Sequence, residues 1–120
     1  MLPTGSPAAR TRSEVFDRHV LDAVARLEPR WGEQLHDVDV AVELVPPSDP
    51  SPWEEQVAPL GRVFPADGGR AARLVVYRRP VEARADDDLA RLVHEVVVEQ
   101  VAALLSRDPE DIDPSVAEDD

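Results

Sequence analysis

LVHEVVVEQVAALLS, residues 92–106, is the stretch that decides the fold of this 120-residue chain. Apolar residues recur through it at helical spacing, and the pattern extends from Leu89 to Leu105. Because three consecutive valines are poor helix formers, a helix here has to be buried on more than one side, as against a sheet. The pattern predicts such a helix, with a strand over 93–98 as the alternative. Asp86–Asp88 would cap its first N–H groups.

Three short strands are predicted before this helix. Apolar residues alternate with polar or small ones over 38–44, which is the period of a half-buried strand. Residues 60–64 and 73–78 are the second and third strands, with the turn signal Asp67-Gly68-Gly69 between them and Pro80 closing the third. The four prolines within 46–52 predict a long, stiff surface loop. Trp53, which follows, either caps the edge of the core or lines a groove.

A first helix is predicted ahead of the strands. Thr11-Arg12-Ser13-Glu14 has the pattern of a capping box, and Pro29 is expected to end or kink the helix near Glu28. Between them an apolar stripe runs at helical spacing. It consists of Phe16, Val20, Val24, Leu27 and Trp31.

The length predicts one domain with a single core. Residues 1–10 show no periodicity and are predicted to be a disordered tail. Residues 108–120 contain seven acids in thirteen positions and are predicted to be a solvated acidic tail. The domain itself is therefore expected to span 11–107.

Composition excludes several classes of function. The absence of cysteine excludes disulfides, thiolate metal sites and cysteine catalysis. A net charge of −12 argues against nucleic acid and anionic membranes as partners. The chain shows no signal-peptide pattern and no apolar run near the roughly 20 residues that cross a bilayer, which predicts a cytoplasmic protein. All 13 basic residues are arginine, as in a GC-rich bacterial genome.

His94-Glu95 is the start of a possible metal motif. A zinc site of the form His-Glu-x-x-His needs two imidazoles one helical turn apart, with the glutamate beside them as base. Val98 stands where the second histidine is required. His19 and His36 are interpreted as surface residues, and no phosphate-binding loop or Ser-His-Asp arrangement is supported.

Four phrases, taken in order, resemble a known family. They are residues 42–47 (VELVPP), 60–61 (LG), 74–80 (LVVYRRP) and 105–110 (LSRDPE). In order and spacing they resemble the small bacterial zincin-like metallopeptidases, the minimal zincins, over residues 12–113. The resemblance implies an α+β fold with an N-terminal helix, a small mixed three-stranded sheet and a buried C-terminal helix. In the family that helix carries His-Glu-x-x-His, followed by Phe-Gly and acidic residues.

The resemblance allows two registers over the motif. One places the motif on His94, Glu95 and Val98. The other places the family's Phe-Gly on Leu105-Ser106 and its next acid on Asp108, so that the motif positions become Glu99, Gln100 and Ala103. We prefer the second register, because residues 96–98 then match the apolar run that precedes the motif in relatives.

Both registers lack at least one essential imidazole, so the expected function is that of a metal-free pseudoenzyme. Glu95 and Glu99 lie four residues apart on one helix face, but two carboxylates alone would hold zinc weakly. In the preferred register Gln100 replaces the general base, and an amide does not titrate as a base. The expectation is no catalytic residue, no metal and no cofactor, with a peptide or protein bound by strand addition between the edge strand and the second helix. The alternative is an active zinc peptidase that uses His94 with Glu95, Glu99 or Asp108.

Overall fold

A computed structural model describes residues 7–47 and 59–118 of the chain, and side chains within 12–47 and 59–116. The described part begins with a long helix, continues with three strands and ends with further helices. In chain order these are α1 (Pro7–Leu35), β1 (Asp39–Glu43), β2 (Gly61–Phe64), β3 (Arg73–Tyr77), α2 (Arg78–Arg84), α3 (Leu89–Leu105), α4 (Pro109–Ile112) and a 3₁₀ helix (Pro114–Glu118). The α+β prediction is confirmed.

The three strands form one mixed sheet in the order β1-β3-β2. β3 lies in the centre, parallel to β1 and antiparallel to β2. The turn between β2 and β3 is closed by a bridge between Asp67 and Arg70. Gly68 and Gly69 adopt φ values of 50° and 87° there, the left-handed conformations that glycine tolerates without steric cost. The predicted hairpin is therefore confirmed, and β2 is left as an edge strand of the described sheet.

The core lies between α1, α3 and one face of the sheet. α3 contacts α1 on one side and β2 and β3 on the other, which explains how a valine-rich segment can be helical: burial on both sides offsets the weak intrinsic propensity. The strand alternative for 93–98 is thus wrong. Asp88 caps α3, since its Oδ1 accepts a hydrogen bond from the backbone N–H of Arg91 at 3.0 Å. The fully buried valines of α3 are Val93, Val96, Val97, Val98 and Val101.

The ends of α1 differ from the prediction. The helix begins at Pro7 rather than near Thr11, and it continues through Pro29 to Leu35. A proline inside a helix costs about 3 kcal/mol locally, but Leu27 and Trp31 on either side of it are both buried in the core. This burial holds the helix together across the proline. The proline-rich loop, from residue 48 onward, and Trp53 lie outside the described residues.

Two short helices occur where none was predicted. α2 begins directly after β3, with Pro80 in its first turn, where the missing N–H costs nothing, and Val81 fully buried. α4 and the 3₁₀ helix occupy part of the predicted acidic tail. Ile112 of α4 is only 2% exposed and belongs to the core cluster. The expectation of a solvated tail is wrong for residues 109–116, because one apolar side chain anchors the segment.

No helix within the described ranges has the length and apolarity to cross a membrane.

Candidate functional site

Gln100 lies where α3 meets the edge strand. A Cβ built on Gly61 of β2 would lie 3.0 Å from both Cγ and Cδ of Gln100, and 2.8 Å from the carbonyl oxygen of Val75. The side chain of Gln100 therefore covers Gly61, the position of β2 that has no side chain. Gln100 is half-buried, so its amide is placed at the border between the sheet and solvent.

Glu99 and Ala103 continue this face of α3 toward solvent. Residues of a helix turn by about 100° each, which places both beside Gln100 on the side away from the buried Val97 and Val101. Glu99 and Ala103 are exposed. We call Glu99, Gln100 and Ala103 the α3 stripe. Partial burial raises the pKa of Glu99 and the nearby charge of Glu95 adds to this, while Arg84 acts in the opposite direction.

The strand beside Gln100 is an edge strand of the sheet that the described residues form. The N–H of Tyr77 donates to the carbonyl of Leu60 at 3.0 Å, and β2 pairs with β3 in antiparallel register. Hydrogen-bonded pairs alternate along such a ladder. The peptide groups of Gly61 and Val63 therefore point away from β3. We call these outward groups the β2 edge.

His94 and Val98 lie on the opposite, buried side of α3. The His94 Nε2 lies 2.6 Å from Oδ2 of Asp113. Its Nδ1 is buried and has no hydrogen-bond partner among the described residues, and Val98 is fully buried. Glu95 is half-buried and forms an ion pair with Arg91 at 3.4 Å. Of the two motif registers, only the one on Glu99, Gln100 and Ala103 includes the residue that covers Gly61 of β2, which is Gln100.

Ser106 gives a second argument for that register. It is the C-cap of α3 and has φ 57°, the one positive φ at a residue other than glycine within the described ranges. Helices commonly end on a left-handed residue, which is usually glycine. The preferred register places the family's glycine at this position, where the backbone favours one.

Asp113 is the partner of His94 that sequence reasoning missed. Its carboxylate contacts His94 and also accepts the backbone N–H of Ser115 at 3.0 Å. Burial acts to raise the pKa of Asp113, but the hydrogen bonds from Ser115 and His94 outweigh it and hold this pKa below its ordinary value. The available signal was the helical position of His94, which falls among the valines of the apolar face. Its partner lay in a segment interpreted as a tail.

The exchange Asp113→Asn is expected to lower the free energy of unfolding at pH 7 by about 1–2 kcal/mol, because charged hydrogen bonds are lost. A depressed carboxyl pKa stabilises the fold above the unfolded-state pKa, near 4, and this contribution disappears as the pH falls through the lower folded-state pKa. The difference between wild type and variant should therefore shrink below about pH 4. Urea unfolding at both pH values measures it.

Asp111→Asn is the matched control for this exchange. It removes the same charge from an exposed position on neighbouring α4, and we expect a change below about 0.5 kcal/mol. Equal effects of the two exchanges would show that the Asp113 contact with His94 contributes nothing specific.

The residues of the α3 stripe do not fit a zinc ion. A catalytic zinc site takes three protein ligands from nitrogen, oxygen or thiolate donors. The stripe offers one carboxylate, one neutral amide and one methyl group. Within 7–47 and 59–118, no group of three or more His, Cys, Asp or Glu side chains is placed to hold a metal. The alternative ligand set is not assembled either, because His94 faces Asp113 rather than Glu99 or Asp108.

Comparison with known protein families identifies a match. The sequence model of the zincin-like metallopeptidases matches residues 35–117, more than two thirds of the chain. The matched segment runs from the end of α1 through the sheet and α3 into the C-terminal helices. No curated protein matches the chain.

Proposed function

Since the chain belongs to the zincin-like metallopeptidase family, we propose that it keeps the family scaffold as a metal-free domain that binds a peptide or protein segment. One observation carries the proposal. Gln100 of α3 lies against Gly61 of β2, and the exposed neighbours of Gln100 on the helix, Glu99 and Ala103, bring one carboxylate and one methyl group rather than two imidazoles.

The chemistry of these side chains argues against hydrolysis. A bound zinc would polarise the peptide carbonyl and lower the pKa of a water ligand, but a methyl group at Ala103 cannot coordinate an ion. Gln100 would stand at the position of the general base, and an amide does not take up a proton near neutral pH. An active peptidase with an unusual ligand set would require His94 to leave its buried contact with Asp113. No observation favours that alternative.

Binding remains available to the same surface. The outward N–H and C=O groups of Gly61 and Val63 can pair with an extended chain, and main-chain hydrogen bonds of this kind supply affinity in strand addition. The α3 stripe borders the added strand, so its side chains would contact the bound segment.

Metal analysis and peptide binding test the two halves of the proposal. Protein purified without a histidine tag should contain zinc far below one equivalent, and a chelator should leave its melting temperature unchanged. Stoichiometric zinc, or a melting temperature lowered by chelator, would overturn the metal-free half, because loss of a ligand bound only by the native state must destabilise it.

An extended peptide of alternating valine and glutamine is the neutral probe for binding. On addition of millimolar peptide, the backbone amide resonances of Gly61 and Val63 should shift and their hydrogen exchange should slow. The amides of β1, at the far side of the sheet, are the internal control. If Gly61 and Val63 do not respond while β1 does, the binding surface is placed on the wrong edge.

A further inference from the structure

We infer that the segment taken up at the β2 edge is basic, an extended peptide whose arginine or lysine side chains occupy alternate positions and meet Glu99. The inference rests on the proposed function and adds the chemical class of the partner. Three features of the described residues support it: the direction of the side chains at the edge, the charge of the α3 stripe and the character of the opposite face of β2.

The pleat of β2 determines which peptide side chains reach α3. Gly61 and Val63 pair with Val76 and Leu74 of β3, and both of those residues point into the core beside α3. Peptide residues directly opposite Gly61 and Val63 would project their side chains to the same face. They would therefore lie next to Gln100, whose side chain covers Gly61, and near the exposed Glu99.

Glu99 is the charge that such a side chain meets. Within the described part of the chain, no basic side chain lies within 4 Å of its carboxylate, whereas Glu95 pairs with Arg91 and Glu43 with Arg73. The methyl group of Ala103, one turn further along, leaves room beside the carboxylate for a long side chain. The net charge of −12 adds long-range attraction for a basic segment.

The opposite face of β2 has a different character. Arg62 and Phe64 project there and are exposed. Peptide residues on that side would contact a cation and an aromatic ring, so basic side chains are disfavoured and apolar ones are accommodated. The two faces together predict a period of two, with basic residues on the α3 side and apolar residues on the other.

Three matched peptides test the inference, each alternating valine with arginine, glutamine or glutamate. At low salt the arginine peptide should bind about three- to tenfold more tightly than the glutamine peptide, and the glutamate peptide more weakly than both. Raising the salt from about 20 to 500 mM should reduce the preference, because exposed charges are screened. Affinities come from fluorescence anisotropy of labelled peptides.

Glu99→Gln should abolish the preference for the arginine peptide over the glutamine peptide. Glu33→Gln, which removes the same charge from an exposed position on α1, should leave the preference intact. Equal affinities of the arginine and glutamine peptides for wild type, or equal effects of the two exchanges, would overturn the inference and leave the proposed function standing. If no peptide binds at the β2 edge, both fail.

Discussion

Trp31→Ala is expected to destabilise the protein by about 3–5 kcal/mol, as large-to-small exchanges of buried aromatic residues do. Trp31 is 5% exposed and belongs to the core cluster. Its indole Nε1 donates to the carbonyl oxygen of Ile112 at 2.9 Å. The exchange would therefore remove packing from α1 and the hydrogen bond that joins α1 to α4. Urea unfolding followed by circular dichroism measures the loss.

Two milder exchanges separate the contributions of Trp31. Trp31→Phe keeps much of the apolar volume but leaves the Ile112 carbonyl without its donor, at a cost of about 1–3 kcal/mol. The guanidinium groups of Arg30 and Arg107 lie 5.3 and 5.2 Å from the centroid of the Trp31 ring. Arg30→Ala removes the first of them and should cost at most about 1 kcal/mol. A loss below 1 kcal/mol for Trp31→Ala would show that α4 is not anchored through this residue.

The anchoring of α4 shows where sequence reasoning stops. Periodicity predicts the main elements well: the alternation over 38–44 and the apolar spacing from Leu89 to Leu105 correspond to β1 and α3. It does not predict the helices within residues 109–118, because Ile112 is a single buried apolar residue among acids and one residue cannot form a periodic pattern. Contacts such as the one from Trp31 to Ile112, 81 residues apart in sequence, depend on the tertiary fold and have no local pattern.

The candidate site stays a prediction. The resemblance places Glu99, Gln100 and Ala103 at the motif, and of these three Gln100 lies against Gly61 of β2. The upstream pair His94-Glu95 has the first two residue types of the motif. The side chain of His94, however, is buried on the other side of α3, where it contacts Asp113. Residue types alone could not separate the two registers. The direction of each side chain from α3 favours the register on Glu99, Gln100 and Ala103.

Restoring two imidazoles on the α3 stripe should therefore restore zinc binding. In the double exchange Glu99→His with Ala103→His, the two rings lie one turn apart on an exposed face, which is the geometry that a single ion needs. With zinc at about 100 times the dissociation constant, the folded state gains about 2.7 kcal/mol, or roughly 10 °C in melting temperature. Thermal unfolding with zinc and with chelator measures the difference.

Val98→His is the matched control, because it creates the same spacing with His94 in the other register. Val98 is fully buried, so the new imidazole would lose its hydration and destabilise the fold by about 2–4 kcal/mol. Zinc should not recover this loss, since His94 already contacts Asp113 and both His94 and position 98 are buried. If zinc stabilised Val98→His but not the double exchange, the metal site of the family would correspond to the His94 side of α3. The β2 edge would then lose its connection with the motif.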